Sequence, residues 1–372
     1  MNLSPEEKNR YARHLILPGF GMEAQLKLKA ARVLVIGAGG LGSPLLQYLA
    51  AAGVGTIGII DPDRVSSSNL QRQVLYGEKD LGKLKVEAAK ERLLDLNPHL
   101  SINTYPQVFD KNNAMEILSE YEIIADGTDN FPTRYLVNDA CVLAGKPYVY
   151  GSIFRFEGQV SVFNLAMPDG SRSPNYRDLY PTPPPPDQVP NCAEGGVLGV
   201  LPGMIGAMQA NEVIKIITET GTSLAGKMVL FDAAHFSQHT LRYKANPATK
   251  IEALIDYEVF CGLPAQEQLP SIDAGTLKAM LQRKEDFLLL DVREQSEYDL
   301  DHLDGKLMPL VELPEKWQEL PKQTLVVVHC QSGARSARAV AFLQEKGYSQ
   351  VYNLEGGINA YRNLTSAIPP LT

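Results

Sequence analysis

Apolar residues in this chain gather in short unbroken runs that end in glycine or aspartate. Val33-Leu-Val-Ile36 runs directly into Gly37-x-Gly39-x-x-Gly42, and Ser43-Pro44 opens a helical pattern with Leu45, Leu46, Leu49 and Ala50 at core-facing spacing. Such a run predicts a buried parallel strand turning into a helix. Thr56-Ile-Gly-Ile-Ile-Asp61, Glu122-Ile-Ile-Ala-Asp126, Lys146-Pro-Tyr-Val-Tyr-Gly151 and Glu157-Gly-Gln-Val-Ser-Val-Phe163 predict further strands. Ser4-Pro5-Glu6-Glu7 is a capping box with proline at the first helical position, predicting a short helix that carries Arg10, Arg13 and His14. The apolar stretch from Gly195 to Ile217 is interrupted by Pro202, Gln209, Asn211, Glu212 and Lys215. Charges are costly in hydrocarbon, so it predicts a buried helix of a soluble domain and not a membrane span.

The pattern restarts near the C-terminus. Asp286-Phe-Leu-Leu-Leu-Asp-Val-Arg293 and Gln323-Thr-Leu-Val-Val-Val-His329 predict two strands, and Ala337 to Lys346 a helix. The expected fold is therefore α/β: a Rossmann-like nucleotide-binding domain over residues 1–248, a linker over 249–270, and a smaller α/β domain over 271–372. Residues Pro168 to Pro190, with the run Pro183-Pro-Pro-Pro186, predict a long structureless loop.

Composition narrows the function. The chain has 372 residues with 44% hydrophobic and 21% charged residues, ordinary for a globular protein. A formal net charge of −8 argues against nucleic acid as the main partner, since phosphates demand a basic excess. The four cysteines, Cys141, Cys192, Cys261 and Cys330, form no Cys-x-x-Cys pair, which suits a reducing cytosol. The N-terminus lacks a basic region followed by an apolar one, so no signal peptide is expected and the protein is expected to be cytoplasmic.

The glycines let backbone amides approach a phosphate at a helix N-terminus, and Asp61 follows at the spacing at which a carboxylate grips a ribose hydroxyl. The segment after Asp61 supplies Ser68, Asn69, Leu70, Gln71, Arg72 and Gln73, and then Lys85, beside the same strand ends. A pyrophosphate is held by loop amides, whereas a triphosphate needs added cations. Asp129, in Gly127-Thr-Asp-Asn130, also sits at a strand's carboxyl end; it reads equally as a Mg²⁺ ligand or as a turn residue. Cys192 lies just before the apolar helix, as an activated thiol or a small buried apolar residue. Cys330-Gln-Ser-Gly-Ala-Arg335 joins a strand to a helix with small residues. That makes an anion nest for a thiolate or persulfide, with Arg335 as a nearby cation.

These motifs resemble a known pairing. Tyr-Ala-Arg-His14, Gly-Ala-Gly-Gly-Leu-Gly42, Ser68-Asn-Leu-Gln-Arg72, Gly-Thr-Asp-Asn130 and Asn191-Cys-Ala-Glu-Gly-Gly-Val-Leu-Gly199 resemble the ThiF/MoeB-like adenylyltransferases, bacterial relatives of the ubiquitin-activating enzymes. From about Ser271 onward, to Leu-Glu-Gly-Gly-Ile358, the chain resembles rhodanese domains. The fusion is similar to the molybdopterin-synthase adenylyltransferase/sulfurtransferase type. The resemblance implies ATP and Mg²⁺ as cofactors, with Gly40 and Asp61 at ATP, Asn69, Arg72 and Lys85 at its phosphates and Asp129 at Mg²⁺. It implies a homodimer in which Arg13 reaches the ATP of the other subunit. It implies a ubiquitin-like sulfur-carrier protein ending in Gly-Gly, for molybdopterin, thiamin or related biosynthesis, and an upstream sulfur donor such as a cysteine desulfurase. Cys330 matches the persulfide cysteine, Cys192 the thioester or disulfide-resolving cysteine. The two Cys-x-x-Cys pairs that hold zinc in many relatives fall at Asn175 and Asp178 and around Thr249 to Glu252, so no structural zinc is expected. Arg335 stands five residues after Cys330, a loop one residue shorter than phosphatase loops, which favours sulfur transfer. Two other classes compete: an NAD-dependent oxidoreductase with an appended regulatory domain, which leaves Arg72, Lys85 and Asp129 without purpose, and a non-catalytic carrier-binding scaffold, which needs neither cysteine.

Overall fold

A computed structural model describes residues 2–184, 196–262 and 269–366. The chain divides into two compact units, Met1–Gly262 and Leu263–Thr372.

Unit 1 is built on an eight-stranded sheet. Its strands are β1 (Arg32–Ile36), β2 (Thr56–Ile60), β3 (Ser101–Tyr105), β4 (Ile123–Asp126), β5 (Tyr148–Phe154), β6 (Glu157–Phe163), β7 (Lys227–Asp232) and β8 (Ser237–Arg242), in the order β3-β2-β1-β4-β5-β6-β7-β8. The first five are parallel, and β5 to β8 form an antiparallel extension. Val33, Leu34, Val35 and Ile124 are wholly buried, as residues covered on both faces of a parallel sheet must be. Helix Gly42–Ala52 and helix Val200–Thr218 cover one face through Leu45, Leu46, Leu49, Ala210 and Val213. The second of these is the buried helix that the sequence pattern predicts. Among the described residues no helix is long and apolar enough to cross a membrane.

The segment expected to be structureless is folded as far as Pro184. Met167 and Ser171 close a turn, Arg172 Nη1 donates to Asn164 O at 2.8 Å, and Asn175 caps a short helix, Tyr176–Leu179. The reason is aromatic. Tyr176 is 2% exposed and packs edge-on against Tyr135 and Phe163, an arrangement that orders the chain around it. Residues expected to be linker also fold onto unit 1. Tyr257 donates its hydroxyl to Asp139 Oδ2 at 2.9 Å, Arg177 binds both oxygens of Asp139 at 2.8 and 2.7 Å, and Phe260 lies under the Arg177 guanidinium at 4.4 Å. Asp178 Oδ1 accepts from the Asn246 amide at 3.0 Å.

Unit 2 has a five-stranded parallel sheet, β9 (Ser271–Ile272), β10 (Leu288–Asp291), β11 (Lys306–Leu307), β12 (Val326–His329) and β13 (Val351–Leu354), ordered β11-β10-β12-β13-β9. Helix Ala334–Glu345 follows β12 and starts three residues before its predicted position, because Gly333 allows the turn immediately after Cys330.

Candidate active sites

The carboxyl ends of β1, β2 and β4 meet at the glycine loop. Gly37 has φ +89°, a left-handed conformation that side chains resist, and a Cβ there would stand 2.9 Å from Gly127 O. A Cβ on Gly42 would collide with Gly37 O, and one on Gly127 would reach it at 2.7 Å. The two loops therefore pack backbone against backbone. Gly127 also donates its amide to Ile36 O at 2.7 Å, continuing the β1–β4 pairing into the loop. Among the described residues, the amides of Gly39, Gly40 and Leu41 make no hydrogen bond, and no side chain caps the helix at Leu41. Open amides at an uncapped helix N-terminus bind anions. The buried Ser43 Oγ and Gln73 Oε1, also without partners, add polar capacity beside them.

Asp61 is 6% exposed and spends both oxygens on the loop's own backbone: Oδ2 accepts from the Ala38 amide and Oδ1 from the Asp63 amide, each at 2.8 Å. Burial raises its pKa, and the positive charge of Lys85 opposes that rise. Lys85, the first residue of helix Lys85–Leu96, is 5% exposed, with Nζ 2.7 Å from Asp63 Oδ2 and 3.9 Å from Asp61 Oδ1. Arg72 donates to Ser68 O at 3.0 Å, and its stem lies 3.7 Å from where a Gly40 Cβ would stand. Asn69 Oδ1 accepts from the Ser66 amide at 3.3 Å in a short turn that also carries Ser68. Leu70 packs on the core and Gln71 lies against Gly199.

Asn130 Oδ1 caps helix Phe131–Ala144 at the Thr133 amide, 2.9 Å away. The neighbouring Asp129 is exposed, and among the described residues its carboxylate has no hydrogen-bond or ion-pair partner. A carboxylate left free at a strand end beside open amides fits a hard cation that travels with phosphate. Arg13 is exposed on helix Ala12–Leu15 and likewise has no partner among the described residues. Cys192 lies outside the described residues.

In unit 2, Cys330 is 1% exposed. Its Sγ accepts from the Gly333 amide at 3.2 Å and lies 3.5 Å from Ser336 Oγ. Gly333 has φ +96°, which turns that amide inward onto the sulfur. The loop is braced from below. Arg293 binds Asp291 through Nε and Nη2 and donates from Nη1 to Gln331 Oε1 at 3.0 Å, while Gln331 Nε2 donates to Asn359 Oδ1 at 2.7 Å. The Arg335 guanidinium is gripped by both oxygens of Glu297 at 2.7 Å. Nothing local in the sequence marks Glu297, because its pairing with Arg335 spans 38 residues.

A ThiF family model matches residues 11–253, well over half of the chain, and a rhodanese-like domain model matches residues 273–364. The chain belongs to the ThiF family. It is 48% identical over 368 residues to the probable adenylyltransferase/sulfurtransferase MoeZ of Mycobacterium tuberculosis, covering 96% of this chain and 94% of that protein. It is 49% identical to the sulfur carrier protein adenylyltransferase of Thermus thermophilus, over 71% of this chain and the whole of that protein. Identity is 41% to the adenylyltransferase and sulfurtransferase MOCS3 of Drosophila grimshawi, over 97% of this chain and 85% of that one. Among solved structures, E. coli MccB with MccA-N7isoASN superposes with a TM-score of 0.58 at 25% identity, over 67% of this chain and 75% of that one. The Rossmann-like sheet of the ThiF domain and the smaller α/β rhodanese-like domain are thus the architecture expected from sequence.

One buried group of the rhodanese-like domain links its stability to pH. His329 is wholly buried directly before Cys330; among the described residues neither ring nitrogen is within ordinary hydrogen-bond geometry of a partner, and Nε2 stands 3.7 Å from Asp291 Oδ2. Burial lowers its pKa below the usual 6.5, with the Asp291 charge opposing. An imidazole kept neutral in the fold takes up a proton more readily once unfolded. Its contribution is therefore complete above about pH 6.5 and is lost as pH falls through the lowered folded value. The opening free energy of the β10 and β12 amides, taken from hydrogen exchange after correction for the intrinsic rate, should fall as pH drops below about 6.5, and His329→Leu should flatten that dependence. An unchanged slope in His329→Leu would assign the acid sensitivity to other groups.

Proposed function

We propose that this chain is an adenylyltransferase and sulfurtransferase that converts the C-terminal glycine of a small ubiquitin-like sulfur-carrier protein into a thiocarboxylate. The observation that carries the reading is one chain holding two complementary sites. One is an open-amide glycine loop flanked by Arg72, Lys85 and an unpaired Asp129; the other is a sulfur, Cys330, seated on an inward-turned amide.

In the ThiF domain the substrate is ATP with Mg²⁺. The loop amides and Lys85 receive phosphate charge, Asp129 meets the magnesium-bound phosphates, and Arg13 of a second copy completes the charge around them. The carrier's terminal carboxylate attacks the α-phosphorus, and pyrophosphate leaves with the electron pair of the broken P–O bond. The gain comes from orientation and fixed charge. In the rhodanese-like domain Cys330 carries a persulfide supplied by a donor such as a cysteine desulfurase. Its terminal sulfur attacks the acyl carbon, AMP leaves, and an acyl disulfide forms. A second thiolate, assigned to Cys192, attacks the Cys330 sulfur, releasing the thiocarboxylate and leaving a disulfide for a cellular reductant. Buried free thiols at Cys141, Cys261 and Cys330 fit a reducing, cytoplasmic setting.

The test supplies purified chain with MgATP, a sulfur donor and candidate carriers ending in Gly-Gly, and reads carrier mass. Replacement of one oxygen by sulfur is expected on the cognate carrier. Pyrophosphate release without any change in mass would remove the sulfur-transfer half of the proposal.

A further inference from the structure

Beneath the Gly127–Asp129 loop lies a buried polar cluster that the chemistry above does not use. Asp126 ends β4 with no exposed surface. Its Oδ1 accepts from the Thr128 amide at 2.8 Å and from the Thr128 hydroxyl at 2.6 Å, and its Oδ2 accepts from the Tyr148 hydroxyl at 2.6 Å. Its backbone oxygen accepts from Gln209 Nε2 at 2.6 Å. Arg134, 5% exposed, donates to Thr128 O at 3.4 Å and lies over the Phe131 and Tyr150 rings.

A local turn would need only the first of these bonds. Here β5 and two helices contribute side chains to one residue pair, so Thr128 is held by its amide, its carbonyl and its hydroxyl. Burying a carboxylate and a guanidinium carries a desolvation cost that an exposed turn has no reason to bear. The residue after Thr128 is Asp129, whose own carboxylate is unrestrained by any described residue. The residue before it is Gly127, packed on the oxygen of Gly37. Fixing Thr128 therefore fixes the direction of Asp129 and the seat of the glycine loop together.

We propose that Asp126 and Thr128 are positioning residues for adenylylation: the Thr128 hydroxyl, clamped on the Asp126 carboxylate, aims Asp129 at the magnesium-bound phosphates of ATP. This rests on the reading that Asp129 meets MgATP. Asp126 and Thr128 touch neither substrate; they act through Asp129.

Thr128→Val keeps the shape and removes the hydroxyl, Thr128→Ser keeps the hydroxyl, and Asp126→Asn removes the charge. In the full chain, Thr128→Val is expected to lower kcat for ATP–pyrophosphate exchange about thirty-fold, since displacing an aligned group by a fraction of an ångström costs that order. The Mg²⁺ concentration for half-maximal exchange should rise about ten-fold, and Mn²⁺ binding to the enzyme–ATP complex, read by electron paramagnetic resonance, should weaken in parallel. Thr128→Ser should stay within about three-fold of the parent, and thiosulfate:cyanide sulfur transfer by the rhodanese-like domain should be unchanged in all variants. Thr128→Val with parental exchange and Mn²⁺ binding overturns the proposal, as does Thr128→Ser falling as far as Thr128→Val. Asp129→Ala separates the premise: if it keeps exchange, the reading of Asp129 fails and the proposal with it. If Asp129→Ala loses exchange while Thr128→Val keeps it, only the positioning role is lost.

Discussion

Cys330→Ala is expected to abolish thiocarboxylate formation completely while ATP–pyrophosphate exchange stays within about two-fold of the parent. The two steps belong to separate compact units, each with its own sheet and core. Cys330 packs within the core of unit 2, and the cluster that includes it holds no residue of the glycine loop. Removing one sulfur atom from a residue 1% exposed leaves a small void, whose cost falls on unit 2. It also leaves the Gly333 amide without its acceptor, at about 1–3 kcal/mol for an unsatisfied buried donor. Cys330→Ser restores an acceptor but cannot carry a persulfide, so it separates chemistry from packing. Both variants should lack thiocarboxylate, and Cys330→Ser should regain most of any stability lost. A folded Cys330→Ala protein without exchange would refute the division of labour between the two sites.

The division between them was visible in the sequence because each site begins at a local strand–loop–helix junction. Val33 to Gly42 and Val326 to Arg335 write the strand, the turn and the helix start in consecutive residues, so periodicity and glycine placement suffice. Lys85 and Arg72 were legible for a weaker reason, the rule that ligands gather at the carboxyl ends of parallel strands. What surrounds them was not. Asp63 reads as an ordinary loop carboxylate until Lys85 Nζ is placed 2.7 Å from it, and Tyr76 gives no sign that its hydroxyl binds Ala38 O at 2.8 Å. Asp61 sits at the spacing of a ribose-gripping carboxylate, but nothing in the sequence shows that its oxygens also accept from amides of the loop and its flank. The Asp126–Tyr148 bond joins neighbouring parallel strands, and the Asp139–Tyr257 bond spans 118 residues. Such pairings depend on which strands and helices become neighbours, which no local pattern states. The last strand of the antiparallel extension, β8, is illegible for a related reason. Most of β8 is exposed, so it carries no apolar period to find.

Lys85→Ala should do the reverse of Cys330→Ala, removing ATP–pyrophosphate exchange by about 10²–10³-fold while thiosulfate:cyanide sulfur transfer persists. Two effects add. The first is the loss of a cation held in place before substrate arrives: Lys85 is 5% exposed and tethered to Asp63, so it reorganises little when phosphate charge develops. The second acts through Asp61. Its carboxyl is already raised in pKa by burial, and Lys85 is the charge that opposes the rise. Without that cation Asp61 moves further toward its neutral form, and a neutral carboxyl holds the Ala38 amide less well, loosening the glycine loop. Lys85→Arg distinguishes the two. A guanidinium keeps the charge and so the Asp61 hydrogen bonds, but it places that charge differently at the phosphates. ATP affinity should therefore survive in Lys85→Arg while kcat falls, and both should fall in Lys85→Ala. Equal loss of ATP affinity in the two variants would mean that Lys85 acts through its placement at the phosphates and not through Asp61 and the loop, and parental exchange in Lys85→Ala would remove it from the site.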